Sequence, residues 1–116
     1  AASHGTQSGR MIDKALAIDS NNAFVYMIKG IGDYTRPSFA GGSKENGIIN
    51  LKKAIEIYQQ NPNDNLESIL IISHYHLAEI FYRKKDYNQS LEYLNKTLGI
   101  APDYKRAMEL SKKIAS

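Results

Sequence analysis

The sequence predicts an all-α fold of antiparallel helical hairpins stacked side by side. Three observations point there. Over residues 74–102 apolar side chains recur twice at helical spacing, first as Leu77, Ala78 and Phe81, then as Tyr87, Ser90, Leu91, Leu94, Thr97 and Leu98. Between the two runs, Arg83-Lys84-Lys85-Asp86 is polar and short enough only for a turn between neighbouring helices. Small residues (Ala78, Ser90, Thr97) stand where two helices must approach closely, and Pro102 follows as a stop. A chain of 116 residues fits one domain with a modest core.

Taken in order, residues 1–8 are small and polar and read as a flexible lead-in. Met11, Ile12, Ala15, Leu16 and Ile18 then form a helical stripe that Asp19-Ser20-Asn21-Asn22 breaks. Asn21 or Asn22 can cap a helix over 23–34. Gly30 and Gly32 each cost that helix ~1 kcal/mol relative to Ala, and close helix–helix contact at Gly30 is the expected compensation. Residues 35–45 are too long for a tight turn, and Pro37 with Gly41-Gly42 forbids continuous helix. Ser43 can cap the next helix, over 44–60, whose inward stripe is Gly47, Leu51, Ala54, Ile55 and Tyr58. Asn61-Pro62-Asn63-Asp64-Asn65 breaks the chain again, with Asp64 or Asn65 as the cap of a helix starting near Leu66. Its stripe is Leu70, His74, Leu77, Ala78 and Phe81. After Pro102 a last amphipathic helix buries Tyr104, Ala107, Met108, Leu110, Ser111 and Ile114 and turns Lys105, Arg106, Glu109, Lys112 and Lys113 outward.

Residues 74–102 resemble a tetratricopeptide repeat. Leu77-Ala78 with Phe81 fills that family's pattern of Leu, then Gly or Ala, then Tyr or Phe in helix A. Tyr87, Ser90, Leu94, Thr97 and Pro102 fill the slots of helix B and its stop. Tyr26 and Gly30 would take the aromatic and small slots of an earlier repeat, from which Lys29 and Asp33 depart. Lys14-Ala15-Leu16, echoed by Lys53-Ala54-Ile55, looks like the end of another helix B with Ser20 in the Pro slot. The resemblance implies a right-handed helical-hairpin solenoid. Its parts would be a half repeat over 9–20, repeats over 22–61 and 65–102, and a polar capping helix over 103–115 that closes the core. The half repeat and the missing initiating Met read as a piece of a longer array. The Pro37–Gly42 spacing, P-x-x-x-G-G, is similar to an enlarged loop in some bacterial repeat proteins, including periplasmic ones associated with tripartite transporters.

Composition narrows the chemistry. Cysteine is absent, so disulfides and thiolate metal sites are excluded, and the cytoplasm and periplasm both stay open. The apolar run Ile69-Leu70-Ile71-Ile72 falls far short of the ~20 residues that span a bilayer. A net charge of +3 comes from lysines and arginines dispersed among acidic neighbours, a solvated surface rather than a nucleic-acid stripe. His74 and His76 lie ~200° apart on a helix, the wrong spacing for one metal. His74 reads as a packing residue and His76 as surface or groove. Gly41-Gly42-Ser43-Lys44 lacks the strand and first glycine of a phosphate loop. No cofactor is implied, and no catalytic set is legible.

What remains is a groove. The resemblance places Met27, Ile31, Tyr34, Ile72, Tyr75, Glu79, Tyr82 and Arg83 on the concave inner surface, with Arg106 and Glu109 from the capping helix. Where some relatives clamp a chaperone's acidic tail with Lys and Asn, this chain has Met27, Ile31, Tyr75 and Glu79, so that clamp is absent. The expectation is a non-catalytic scaffold for a protein or peptide segment, held mainly by the aromatic area of Tyr34, Tyr75 and Tyr82. Two alternatives stand beside it: a transporter-associated module handling a small ligand, and self-association through the N-terminal half repeat.

Overall fold

A computed structural model describes residues 22–116; the lead-in expected over 1–8 and the half repeat over 9–20 lie outside the described residues. Among the described residues the chain forms helices and turns without strands. The helices are α1 (Ala23–Thr35), α2 (Lys44–Gln60), α3 (Ser68–Arg83), α4 (Tyr87–Ile100) and α5 (Lys105–Ala115). Side chains cap three of them as local chemistry dictates. Asn22 accepts from the Val25 amide at 3.2 Å, Ser43 from Asn46 at 3.1 Å and Asp86 from Gln89 at 3.2 Å.

The hairpin α1–α2 closes on glycines. A Cβ on Gly30 would stand 2.8 Å from Leu51 Cγ and 3.1 Å from the Gly47 carbonyl oxygen, so the two backbones touch where a side chain would hold them apart. Hairpin α3–α4 closes on small residues instead. Ala78, Ser90, Leu94 and Thr97 are fully buried, and Ser90 Oγ donates to the Ala78 carbonyl at 2.7 Å.

Two apolar clusters result, one filled by α1, α2 and α3 around Leu51, Ala54, Leu77 and Ile80, the other by α3, α4 and α5 around Ala78, Leu94, Ala107 and Leu110. Helix α3 belongs to both. Ser73 to Ala78 are buried without a break, because one hairpin covers one flank of α3 and α4–α5 covers the other. This corrects the expectation for His76. The ~200° that separates it from His74 carries it from one buried flank to the other, not out to solvent.

The enlarged loop is closed by its own bonds. A 3₁₀ turn over Ser38–Ala40 is followed by Gly41 at φ 87°, and a Cβ on Gly42 would fall 1.8 Å from the Arg36 oxygen. Beneath the loop the buried Asp33 carboxylate accepts from Arg36 Nη2 at 3.1 Å and from Asn50 Nδ2 at 2.6 Å, while its carbonyl accepts from the Ser43 amide at 2.6 Å. The second break differs from expectation. A 3₁₀ turn covers Asp64–Leu66, and α3 starts at Ser68 after Glu67, which makes no side-chain cap. Tyr58 of α2 pins that turn by donating to the Asn63 carbonyl at 2.7 Å.

Candidate functional site

Helix α3 presents Tyr75, Glu79, Tyr82 and Arg83 along one stripe, and α5 presents Arg106, Glu109, Leu110 and Lys113 along another. The helical repeat dictates both, since residues three, four and seven apart share a face. The two stripes line a cleft of about 340 Å³.

Its electrostatics centre on one carboxylate. Glu79 accepts from Arg83 Nη2 at 2.7 Å and lies 3.8 Å from Arg106 Nη2, so both guanidinium groups share it. Each guanidinium also rests on a tyrosine. Arg83 Cζ stands 5.1 Å from the Tyr34 ring centroid and Arg106 Cζ 4.7 Å from that of Tyr75. Such stacking favours Arg over Lys because the planar, weakly hydrated guanidinium lies flat on the ring.

Beneath the arginines the polar groups are buried and fixed in charge. Burial pushes the Tyr75 hydroxyl up to about 12, with the Glu79 carboxylate adding to it. Burial also raises Tyr34 well above the ordinary phenol value, again with Glu79 second. His76 is pushed down to about 4, by burial first, with Arg106 and Arg83 acting the same way against Glu79. Near neutral pH His76 is therefore uncharged and Tyr34 protonated, and the imidazole tautomer sets the direction of the hydrogen bond between the Tyr34 hydroxyl and His76 Nδ1. The ring of Tyr75 meets His76 edge-on at 5.2 Å and Tyr104 at 5.5 Å. His74, on the other flank, stacks on Tyr93 at 6.0 Å, and burial lowers its pKa, with Lys96 adding to the effect.

The residues expected to line a groove are thus divided. Tyr75, Glu79, Tyr82, Arg83 and Arg106 come together in the cleft, with Glu109. Met27 is a core side chain, because α1 turns that face onto α2 and α3. Tyr34 is buried under Arg83 and serves as its platform rather than as an open contact. Ile31 and Ile72 are half-buried against the first apolar cluster. The aromatic row that the sequence suggested is mostly covered, and guanidinium groups cover it. Leu110 and Lys113 were not foreseen as cleft residues. The signal was present, since they fall four and seven residues after Arg106 on the same helix face. Among the described residues no group of three or more His, Asp and Glu side chains could hold a metal ion, and no helix is long and apolar enough to cross a membrane.

Residues 71–104 match the family model of the tetratricopeptide repeat. The chain contains a tetratricopeptide repeat there, built from most of α3, all of α4 and the turn into α5. No curated protein and no solved structure matches the chain.

Proposed function

We propose that this tetratricopeptide-repeat chain is a non-catalytic scaffold that holds a protein or peptide segment in the cleft between α3 and α5. The repeat supports the coarser half of the reading, since such repeats are typically protein–protein interaction modules. The finer half rests on one observation: the cleft joins an apolar wall, Leu110 with half-buried Tyr82, to two arginines that are oriented before any partner arrives. Preorganisation of that kind reduces the side-chain entropy lost on binding. The ionisation states agree, because groups fixed as neutral His76 and protonated Tyr75 suit hydrogen bonding and not proton transfer near pH 7.

The loop over residues 35–43 does not favour the small-ligand alternative. The polar groups under it are satisfied by the chain itself, through Asp33, Arg36 and Asn50.

Selection of binders from a displayed random peptide library tests the reading. Arg106 is more than half exposed, so Arg106→Ala loses its stacking on Tyr75 and its contact with Glu79 at a cost of about 1 kcal/mol and leaves the chain folded. It weakens the selected peptides about tenfold if they occupy the cleft. Binders indifferent to Arg106→Ala, with the fold intact, would place the interaction elsewhere.

A further inference from the structure

We infer that the occupant of this cleft brings a single carboxylate between Arg83 and Arg106, and that Glu79 sets the limit at one negative charge. The inference rests on the scaffold reading and names the partner's chemistry: a peptide segment carrying Asp or Glu beside an apolar residue.

The charge balance of the lining carries the argument. Arg83, Arg106 and Lys113 face Glu79 and Glu109, which leaves one positive charge uncompensated. Glu79 is well covered, with 16% of its side chain exposed, and it bridges two guanidinium groups. Each guanidinium carries five N–H donors in a rigid fork, and the two oxygens of one carboxylate cannot occupy ten. The guanidinium carbons stand 5.1 and 4.7 Å from the Tyr34 and Tyr75 ring centroids, and both side chains line the cleft about half exposed, 45% for Arg83 and 58% for Arg106, so each keeps N–H donors that an occupant can reach. A second carboxylate therefore finds oriented donors and neutralises the excess. A phosphate monoester carries close to two charges at neutral pH and would leave the cleft negative beside the fixed Glu79. Carboxylate over phosphate is the selectivity this arrangement produces, and Glu79 is the residue that determines it. Half-buried Tyr82 and the edge of buried Leu110 supply the apolar wall for the neighbouring side chain of the segment.

The probe is an immobilised library of random C-terminally amidated octapeptides containing Asp, Glu, Ser and phosphoserine, read with the whole chain and with Arg83→Gln, Arg106→Gln and Glu79→Gln. Melting curves confirm that each variant is folded. The expected result is enrichment of Asp or Glu beside an apolar residue, with about fivefold loss when that residue becomes Asn or Gln and similar loss in either arginine variant. Glu79→Gln is expected to raise phosphoserine binding about fivefold, because the competing carboxylate is gone. Neutral peptides that bind equally well and still depend on Arg106 would overturn this inference and leave the scaffold reading standing. A wild-type preference for phosphoserine would overturn the one-charge limit. Peptides unaffected by either arginine variant, or no enriched peptide at all, would overturn both readings.

Discussion

The two hairpins solve one packing problem with different residues. In α3–α4 the helices cross at Ala78 and Ser90, and a serine hydroxyl ties the crossing to the opposite backbone. In α1–α2 they cross at Gly30 and Gly47, with no side chain between the backbones. The turns differ as well. The first loop places a glycine at its positive φ, Gly41 at 87°, whereas the second places a lysine there, Lys85 at 63°. Only the second hairpin falls in the family match over 71–104, yet α1–α2 covers one flank of its helix α3 as α4 and α5 cover the other. What a helical hairpin requires is closeness at the crossing, and the residue that grants it can change.

Overpacking the crossings should have the largest effect. Ala78→Leu is expected to destabilise by about 3 kcal/mol, and Gly30→Leu by more, since even a Cβ meets the Leu51 backbone nitrogen at 3.0 Å. Denaturant melts of both variants would show whether the crossings are equivalent; a Gly30→Leu protein as stable as wild type would dissolve the comparison. The loops come next. Asp33→Ala removes the acceptor of both Arg36 and Asn50 and should cost about 2 kcal/mol. Asp86→Ala removes a helix cap from the second hairpin, together with the acceptor of the Gln89 side-chain amide, and should cost about 1 kcal/mol. Equal losses in the two variants would mean that the enlarged loop is no more tightly tied than the short turn.

Acid should separate the hairpins where α3 joins them. An unfolded histidine takes up its proton near 6.5, whereas buried His76 resists until about 4. Its contribution is thus fully present above about pH 6.5 and declines as the pH falls towards 4, by roughly 2 kcal/mol. His74, lowered in the same direction, adds to the slope. His76→Phe should flatten the pH dependence of the melting temperature over that window without abolishing it; an unchanged slope would place the titration elsewhere. The smallest effect is a gain. Lys85→Gly relieves a left-handed backbone and should stabilise by about 0.5–1 kcal/mol, while Gly41→Ala in the first loop should destabilise.

Legibility followed the same division. Periodicity fixes the helices because each has an apolar face, and Ser43 and Asn22 stand where caps are needed. Gly30 was readable as a contact because a helix tolerates glycine in its interior only for a reason. The face of α3 that carries His76, Tyr75 and Glu79 was harder. A helix covered on two flanks has no single stripe, so periodicity misplaces residues such as His76, 8% exposed yet opposite His74. That Tyr34 and Tyr75 are platforms for arginines depends on pairs distant in sequence, Tyr34 with Arg83 and Tyr75 with Arg106. No local spacing encodes such pairs.

Amide chemical-shift mapping by NMR, with a peptide selected against the folded chain, tests most directly whether the partner lies between α3 and α5. Perturbations are expected to gather on Glu79, Tyr82, Arg83, Arg106, Leu110 and Lys113 and to leave the Gly30–Gly47 crossing unmoved. Perturbations gathered instead on the exposed apolar residues of the first hairpin, Phe24, Ile28, Phe39 (93% exposed) and Ile49, would contradict it.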